Sequence, residues 1–134
     1  MIECTSIIQV RYGETDQMGI VNNANYPSYY EIGRTDWLRK LGMSYSLLEE
    51  QGIMMPLVDL YSRYFKPAHF EDTLTIHSVV KEMPTAKIRF DHTIHNQHGE
   101  LINQGYCQLA FMNADTRKPT RIPVVLKTLM EKFF

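Results

Sequence analysis

The sequence predicts an α+β fold in which one long helix near the N-terminus is buried by an antiparallel β-sheet that must wrap around it. Three observations predict it. Tyr26, Tyr30, Gly33, Trp37 and Leu41 recur at three- to four-residue spacing, the period of one helix face. From Gly52 onward the apolar period changes to two, the mark of half-buried antiparallel strands. A chain of 134 residues, 44% hydrophobic and 22% charged, has the size and composition of one domain around one core, so helix and strands must share it; that domain is read as residues 1–134.

Each element follows in order. Residues 5–12 alternate, with Ile8 and Val10 against Gln9 and Arg11, and read as a short strand entering a polar, Gly-containing turn at 13–19. The helix is expected over 25–41. Asn25 can cap it, Pro27 suits the first turn because its missing N–H would be unpaired there anyway, and Ser28 with Glu31 fits a capping box. Arg39 and Lys40 complement the negative end of the helix dipole, and Gly42 can take the left-handed cap. Gly33 in mid-helix costs about 1 kcal/mol relative to Ala, which implies that another backbone presses on that face. A brief helix over 45–51 ends at Gly52, and 53–66 and 73–83 read as strands, the latter with Leu74, Ile76 and Val80 on one side. Next, Ile88, Phe90 and Ile94 face one way while Lys87, Arg89, Asp91 and Thr93 face the other. Residues 101–113 carry apolar or small groups on both faces, which suits a central or interface strand, and a short amphipathic helix over 123–132 opens with Pro123.

Composition excludes several classes of function. Fourteen Lys and Arg against fifteen Asp and Glu leave a net charge of -1, so there is no general positive field for nucleic acid or an anionic membrane. No apolar run approaches the roughly 18 residues of a membrane span. The N-terminus has an acid where a secretory signal has a basic region, so a cytoplasmic location is expected. Cys4 and Cys107 read as unpaired thiols. Fifteen aromatic residues, 11% of the chain, hint at more apolar surface than one subunit covers and so at an oligomer.

The segment from Arg11 to Tyr26 carries the chemistry. It places Asp16 on a turn a few residues ahead of a helix start. Such a start presents unpaired N–H groups and a partial positive charge, and can hold a carbonyl oxygen that gains negative charge under attack. Asp16 would then stand near the carbonyl carbon as nucleophile or as base toward water. The alternative is a turn cap, a common use of Asp.

The run Glu14-Thr15-Asp16-Gln17-Met18-Gly19-Ile20-Val21, then Asn25-Tyr26 and Tyr30-Glu31-Ile32-Gly33-Arg34, resembles the signature of hotdog-fold acyl-CoA thioesterases of the 4-hydroxybenzoyl-CoA thioesterase type. The segments Tyr64–Leu74 and Arg117–Pro123 are similar to two further blocks of that family, so the resemblance covers nearly the whole chain. It implies a hotdog fold, a long helix wrapped by a curved antiparallel sheet. It also implies a homodimer or homotetramer pairing sheets edge to edge, with active sites at the subunit boundary. The implied activity is hydrolysis of an acyl-CoA thioester without a cofactor, CoA being part of the substrate. The resemblance makes Asp16 the catalytic carboxylate and the helix start the source of the polarising N–H, with Gly19, Ile20, Val21, Asn22, Tyr26 and Tyr30 as substrate-binding positions.

Many relatives carry Tyr-His where this chain has Asn22-Asn23. Asn23 cannot take up a proton at neutral pH, so it is kept as an oxyanion or orienting residue and the proton chemistry rests on Asp16. Glu31 is a second candidate base, with a structural pair to Arg34 as the alternative. A non-catalytic acyl-CoA or acyl-carrier-protein binding protein, or a dehydratase or hydratase, shares the fold; the first is disfavoured by Asp16 and the second by the missing His. His92, His95 and His98 would form a metal cluster only on a helix, and on a strand His95 points away from the other two. Tyr26, Tyr29, Tyr30, Met54, Met55, Leu57 and Tyr61 are candidate pocket-lining residues. Lys87, Arg89, Arg117, Lys118 and Arg121 are the cations available to a CoA phosphate.

Overall fold

The long helix, α1 (Tyr26–Lys40), lies against the inner face of a seven-stranded antiparallel sheet in a computed structural model that describes residues 1–134. The other elements are β1 (Ile2–Gln9), α2 (Tyr45–Glu50), β2 (Ile53–Met54), β3 (Leu57–Tyr64), β4 (Thr73–Val80), β5 (Lys87–His95), β6 (Leu101–Asn113), β7 (Pro119–Thr120) and α3 (Val124–Glu131). Strand order is β1-β4-β5-β6, with β3, β2 and β7 also pairing β6. Tyr106 of β6 is paired with both Asp91 of β5 and Tyr61 of β3, so β6 is central; Cys107, Leu109 and Phe111 on one of its faces are buried, while Tyr106, Ala110 and Met112 on the other are half-buried. β1 and β3 are the free edges of the main sheet.

The expected helix face is the buried one: Tyr26, Tyr30, Gly33, Trp37 and Leu41 are all buried, with Tyr29, Arg34 and Leu38 beside them. Trp37 is fully buried, edge-on to Phe90 at 5.0 Å, and its indole N–H donates to the Ile2 carbonyl at 3.1 Å, which ties α1 to β1. Burial of one such side chain stabilises the fold by roughly 2–3 kcal/mol. Opposite it, Leu74 and Ile76 of β4 and Ile88, Phe90 and Ile94 of β5 form the sheet side of the core. Gly42 takes φ 84° and the Met43 N–H returns to the Leu38 carbonyl at 2.9 Å, the helix end expected from the sequence. No helix is long and apolar enough to cross a membrane.

Several boundaries differ from expectation, each for a local reason. β1 covers 2–9 rather than 5–12, because its partner β4 begins at Thr73, opposite Gln9, and the chain then turns into a 3-10 turn at Tyr12–Glu14. The strand expected over 53–66 is broken at Met55-Pro56, where proline supplies no N–H to the ladder. β4 stops at Val80, short of 83, ahead of a turn. Pro123 stands just before α3, not inside it. Asn25 does not cap α1: a 3-10 turn, Asn23–Asn25, precedes the helix, and its cap is Asn22, whose Oδ1 accepts the Ala24 N–H at 2.9 Å. Ser28 and Glu31 therefore lie inside the helix and form no capping box. Gly33 is pressed not by backbone but by side chains of the sheet, Ser78 foremost.

Candidate active site

The Asp16 turn is folded back on the start of α1. Thr15 pairs with Val21, the Asn22 N–H donates to the Glu14 carbonyl at 2.9 Å, and the Gly19 N–H donates to the Asp16 carbonyl at 3.0 Å, with Gly19 at φ 75°. A strap formed by Ala68–Phe70 holds the far side: Val21 N–H donates to Ala68 at 2.8 Å and Phe70 N–H to Gly19 at 3.2 Å, with Ile20 opposite His69.

Within that turn the Asp16 carboxylate is exposed. Its Oδ1 accepts from the N–H groups of Met18 at 2.8 Å and Ile20 at 3.3 Å, while Oδ2 has no partner. Asp16 therefore caps its own turn with one oxygen and presents the other. The turn-cap reading of this residue therefore holds for Oδ1.

At the helix start, the backbone N–H of Asn22 is used by Glu14 and those of Ala24 and Asn25 are used by Asn22, whereas that of Asn23 has no acceptor. Asn23, Ile20, Val21 and Tyr26 line a shallow hollow of about 240 Å³ whose opposite wall is Tyr64–Pro67. Tyr26 is buried edge-on to Tyr64 at 5.3 Å; burial first, and Tyr64 second, push its phenol up to about 12, so it stays protonated.

The other predicted positions separate from this group. Gly19 shapes the turn, and Asn22 spends its side chain on the cap. Tyr30 is fully buried: its hydroxyl donates to Asn103 Oδ1 and lies 3.2 Å from Ser62 Oγ, and its ring stacks on His92, 4.6 Å between centroids. Its side chain is not on the wall of the hollow, because the groups it binds lie on β3 and β6. Glu31 is exposed and forms no ion pair; Arg34 turns inward instead, its Nη1 donating to Cys107 Sγ at 3.3 Å and its Nε to the Tyr45 hydroxyl at 3.5 Å. Of the remaining pocket candidates, Met54 and Met55 line a separate apolar hollow with Tyr45 and Leu48, and Leu57 and Tyr61 are exposed on the edge strand. Cys4 and Cys107 are both free and buried. Lys87 and Arg89 line an open groove on the outer sheet face, where Arg89 is paired to Asp91 at 3.1 Å.

Sequence reasoning missed two features. The wall Tyr64–Pro67 opens the family-like block Tyr64–Leu74, but nothing in that block marks it as lining a hollow. Glu14, which is 14% exposed and bonded to Arg11 and Tyr29, carried no signal beyond its place in the motif.

Residues 10–133 match the family model described as thioesterase-like superfamily. The chain is 43% identical over 94 residues to a protein of Bacillus subtilis (strain 168) provisionally named acyl-CoA thioesterase YneP, covering 70% of this chain and 68% of that one. It is 26% identical over 126 residues to the acyl-CoA thioester hydrolase YbgC of Escherichia coli O157:H7, covering 94% and 92%. The crystal structure of a DHNA-CoA thioesterase from Staphylococcus aureus superposes with a TM-score of 0.86 at 32% identity, covering all of this chain and 85% of the other.

Proposed function

The chain belongs to the thioesterase-like superfamily, has the hotdog fold and is a thioester hydrolase, and we propose that it hydrolyses acyl-CoA thioesters to a free acid and CoA with Asp16 as the catalytic carboxylate. The observation that carries this reading is the division of labour within Asp16, one oxygen held by two N–H groups and the other open, on a turn bonded to the helix start where the Asn23 N–H has no acceptor.

In the proposed reaction the acyl group lies in the hollow beside Asn23, and its carbonyl oxygen accepts the Asn23 N–H. Charge that builds on that oxygen meets a donor already oriented by the 3-10 turn, which costs no reorganisation at the moment of attack. The open oxygen of Asp16 either attacks the carbonyl carbon, giving a mixed anhydride that water then hydrolyses, or takes a proton from an attacking water. In both routes the C–S bond breaks and CoA leaves as thiolate; since a thiol has a pKa of about 8.5, no strong acid is required. Asn23 contributes its backbone N–H and an orienting amide. Glu31, exposed and without an ion pair, is assigned no proton.

The proposed assembly is a homodimer or homotetramer. β3 is a free edge bearing Leu57, Val58 and Tyr61, each roughly half exposed, and it runs directly into the Tyr64–Pro67 wall. A second copy pairing along that edge would cover apolar surface and close the hollow.

The test is steady-state hydrolysis of a panel from acetyl-CoA to palmitoyl-CoA, with benzoyl-CoA, by wild type and Asp16→Asn. Asn keeps an Oδ1 acceptor for Met18 and Ile20 but cannot attack or take a proton. A fall in kcat of about 100-fold or more is expected; equal activity of the two proteins would refute the role of Asp16, and binding without turnover by wild type would refute the hydrolase reading of this panel.

A further inference from the structure

Glu14 is the point at which the Asp16 turn is tied to α1. Its Oε1 accepts the Arg11 backbone N–H at 2.9 Å and the Tyr29 hydroxyl at 3.0 Å, and its Oε2 accepts Arg11 Nε at 3.3 Å and Nη2 at 3.1 Å. Its own carbonyl accepts the Asn22 N–H at 2.9 Å and the Asn25 side-chain amide at 2.8 Å. Asn22 and Asn25 bracket Asn23, Tyr29 is one turn into the helix, and Asp16 is two residues further along the chain. Glu14 is thus hydrogen-bonded to the helix-start side of the reacting geometry and joined to the Asp16 side through two residues of chain.

We propose that Glu14, anchored by Tyr29, is a positioning residue that sets the separation between the Asp16 carboxylate and the Asn23 N–H and so controls the chemical step. This rests on the reading of Asp16 given above. Ion pairing does not account for the arrangement, because Arg11 is 82% exposed and such pairs contribute about 0–1 kcal/mol. The Tyr29 anchor is different. Tyr29 is 1% exposed, its ring is edge-on to Tyr26 at 5.5 Å, and burial, followed by the hydrogen bond and charge of Glu14, pushes its phenol well above the usual range, so it remains a donor at every working pH. The Asp16 turn is also held from its far side by the Ala68–Phe70 strap. Freeing Glu14 therefore lets the turn shift with the strap instead of unfolding, and a displacement of about 1 Å in a reacting pair costs on the order of 100-fold in rate.

The experiment compares Tyr29→Phe, Glu14→Ala, Glu14→Gln and Asp16→Asn in the full chain, measuring kcat and KM on the best substrate of the acyl-CoA panel. Tyr29→Phe removes one oxygen and keeps the ring. Expected are a fall in kcat of about 10-fold for Tyr29→Phe and about 100-fold for Glu14→Ala, with KM within about twofold of wild type. Glu14→Gln keeps an oxygen that accepts from Arg11 and Tyr29 and should return kcat to within about threefold of wild type. A rise in KM with kcat unchanged, or a Glu14→Gln as slow as Glu14→Ala, overturns the proposal. So do Glu14 and Tyr29 variants at the wild-type rate beside an inactive Asp16→Asn. A fully active Asp16→Asn instead overturns the underlying reading. If Glu14→Ala does not fold, Tyr29→Phe and Glu14→Gln decide the matter.

Discussion

Replacing Gly33 by Ala tests how closely α1 rides on the sheet. An added Cβ would overlap Ser78 Oγ and stand 3.2 Å from Ile76 Cγ2 and 3.4 Å from His92 Cε1. On an exposed helix the same change stabilises by about 1 kcal/mol. Here Ser78 must rotate or the helix must lift. Ser78 is fully buried and its hydroxyl lies 2.9 Å from His92 Nδ1, while His92 Nε2 already has no partner. Rotation would strand two buried polar atoms, at about 1–3 kcal/mol for each unsatisfied group, and lifting the helix costs about 1–3 kcal/mol in strained packing. After the propensity gain of about 1 kcal/mol, rotation leaves a loss of about 1–5 kcal/mol and lifting one of about 0–2 kcal/mol, so the cheaper route sets a loss of up to about 2 kcal/mol, with Tm lower by up to roughly 8 °C. The assay is urea unfolding followed by fluorescence of Trp37, the single tryptophan, at fixed protomer concentration. Adding Ser78→Ala removes the overlapping oxygen, so the two changes should couple by at least about 1 kcal/mol in a double-mutant cycle. A Gly33→Ala midpoint above wild type, or strictly additive effects, would refute this packing argument.

Two further outcomes follow from the same geometry. Burial first, and the positive charge of Arg34 second, hold His92 at about 3 instead of 6.5. Above pH 6.5 it is neutral folded and unfolded; between about 6.5 and 3 only the unfolded chain takes up the proton, so stability falls with pH by about 1.4 kcal/mol per unit. His92→Gln should remove that part of the acid slope in urea midpoints, and identical slopes would show that His92 does not stay neutral. At the free edge, Tyr61→Glu should place a charge in the proposed subunit contact and give a monomer by light scattering with activity lost in parallel. A fully active Tyr61→Glu oligomer of wild-type mass would rule that edge out.

How far the molecule was legible depended on where each feature's causes lie. The buried face of α1 and its Gly42 end were read correctly, since helical period and a left-handed cap are properties of a few neighbouring residues. So was the central strand 101–113, which pairs on both edges. Asn25 stands at the N-cap position of α1 as expected but makes no side-chain cap bond, because its amide donates to the Glu14 carbonyl, while Asn22 caps the 3-10 turn ahead of the helix. Glu31 and Arg34 have the spacing of an ion pair, yet Arg34 sits on the inner face of α1, where Cys107 of β6 receives it.

Asp16 shows the same boundary within one residue. Its place ahead of a helix start, and the motif around it, were present in the chain order, and so was the α+β architecture that buries a single long helix. That Oδ1 is consumed by Met18 and Ile20, that the Asn23 N–H has no acceptor while those of Asn22, Ala24 and Asn25 do, and that Tyr30 belongs to the core while Tyr64–Pro67 forms the wall were set by folding. The reason is physical. Torsional preference and apolar period act over a few residues, whereas the partner of an inward-facing polar group is whichever strand packs there, and for Tyr30 that strand brings Asn103 from 73 residues away.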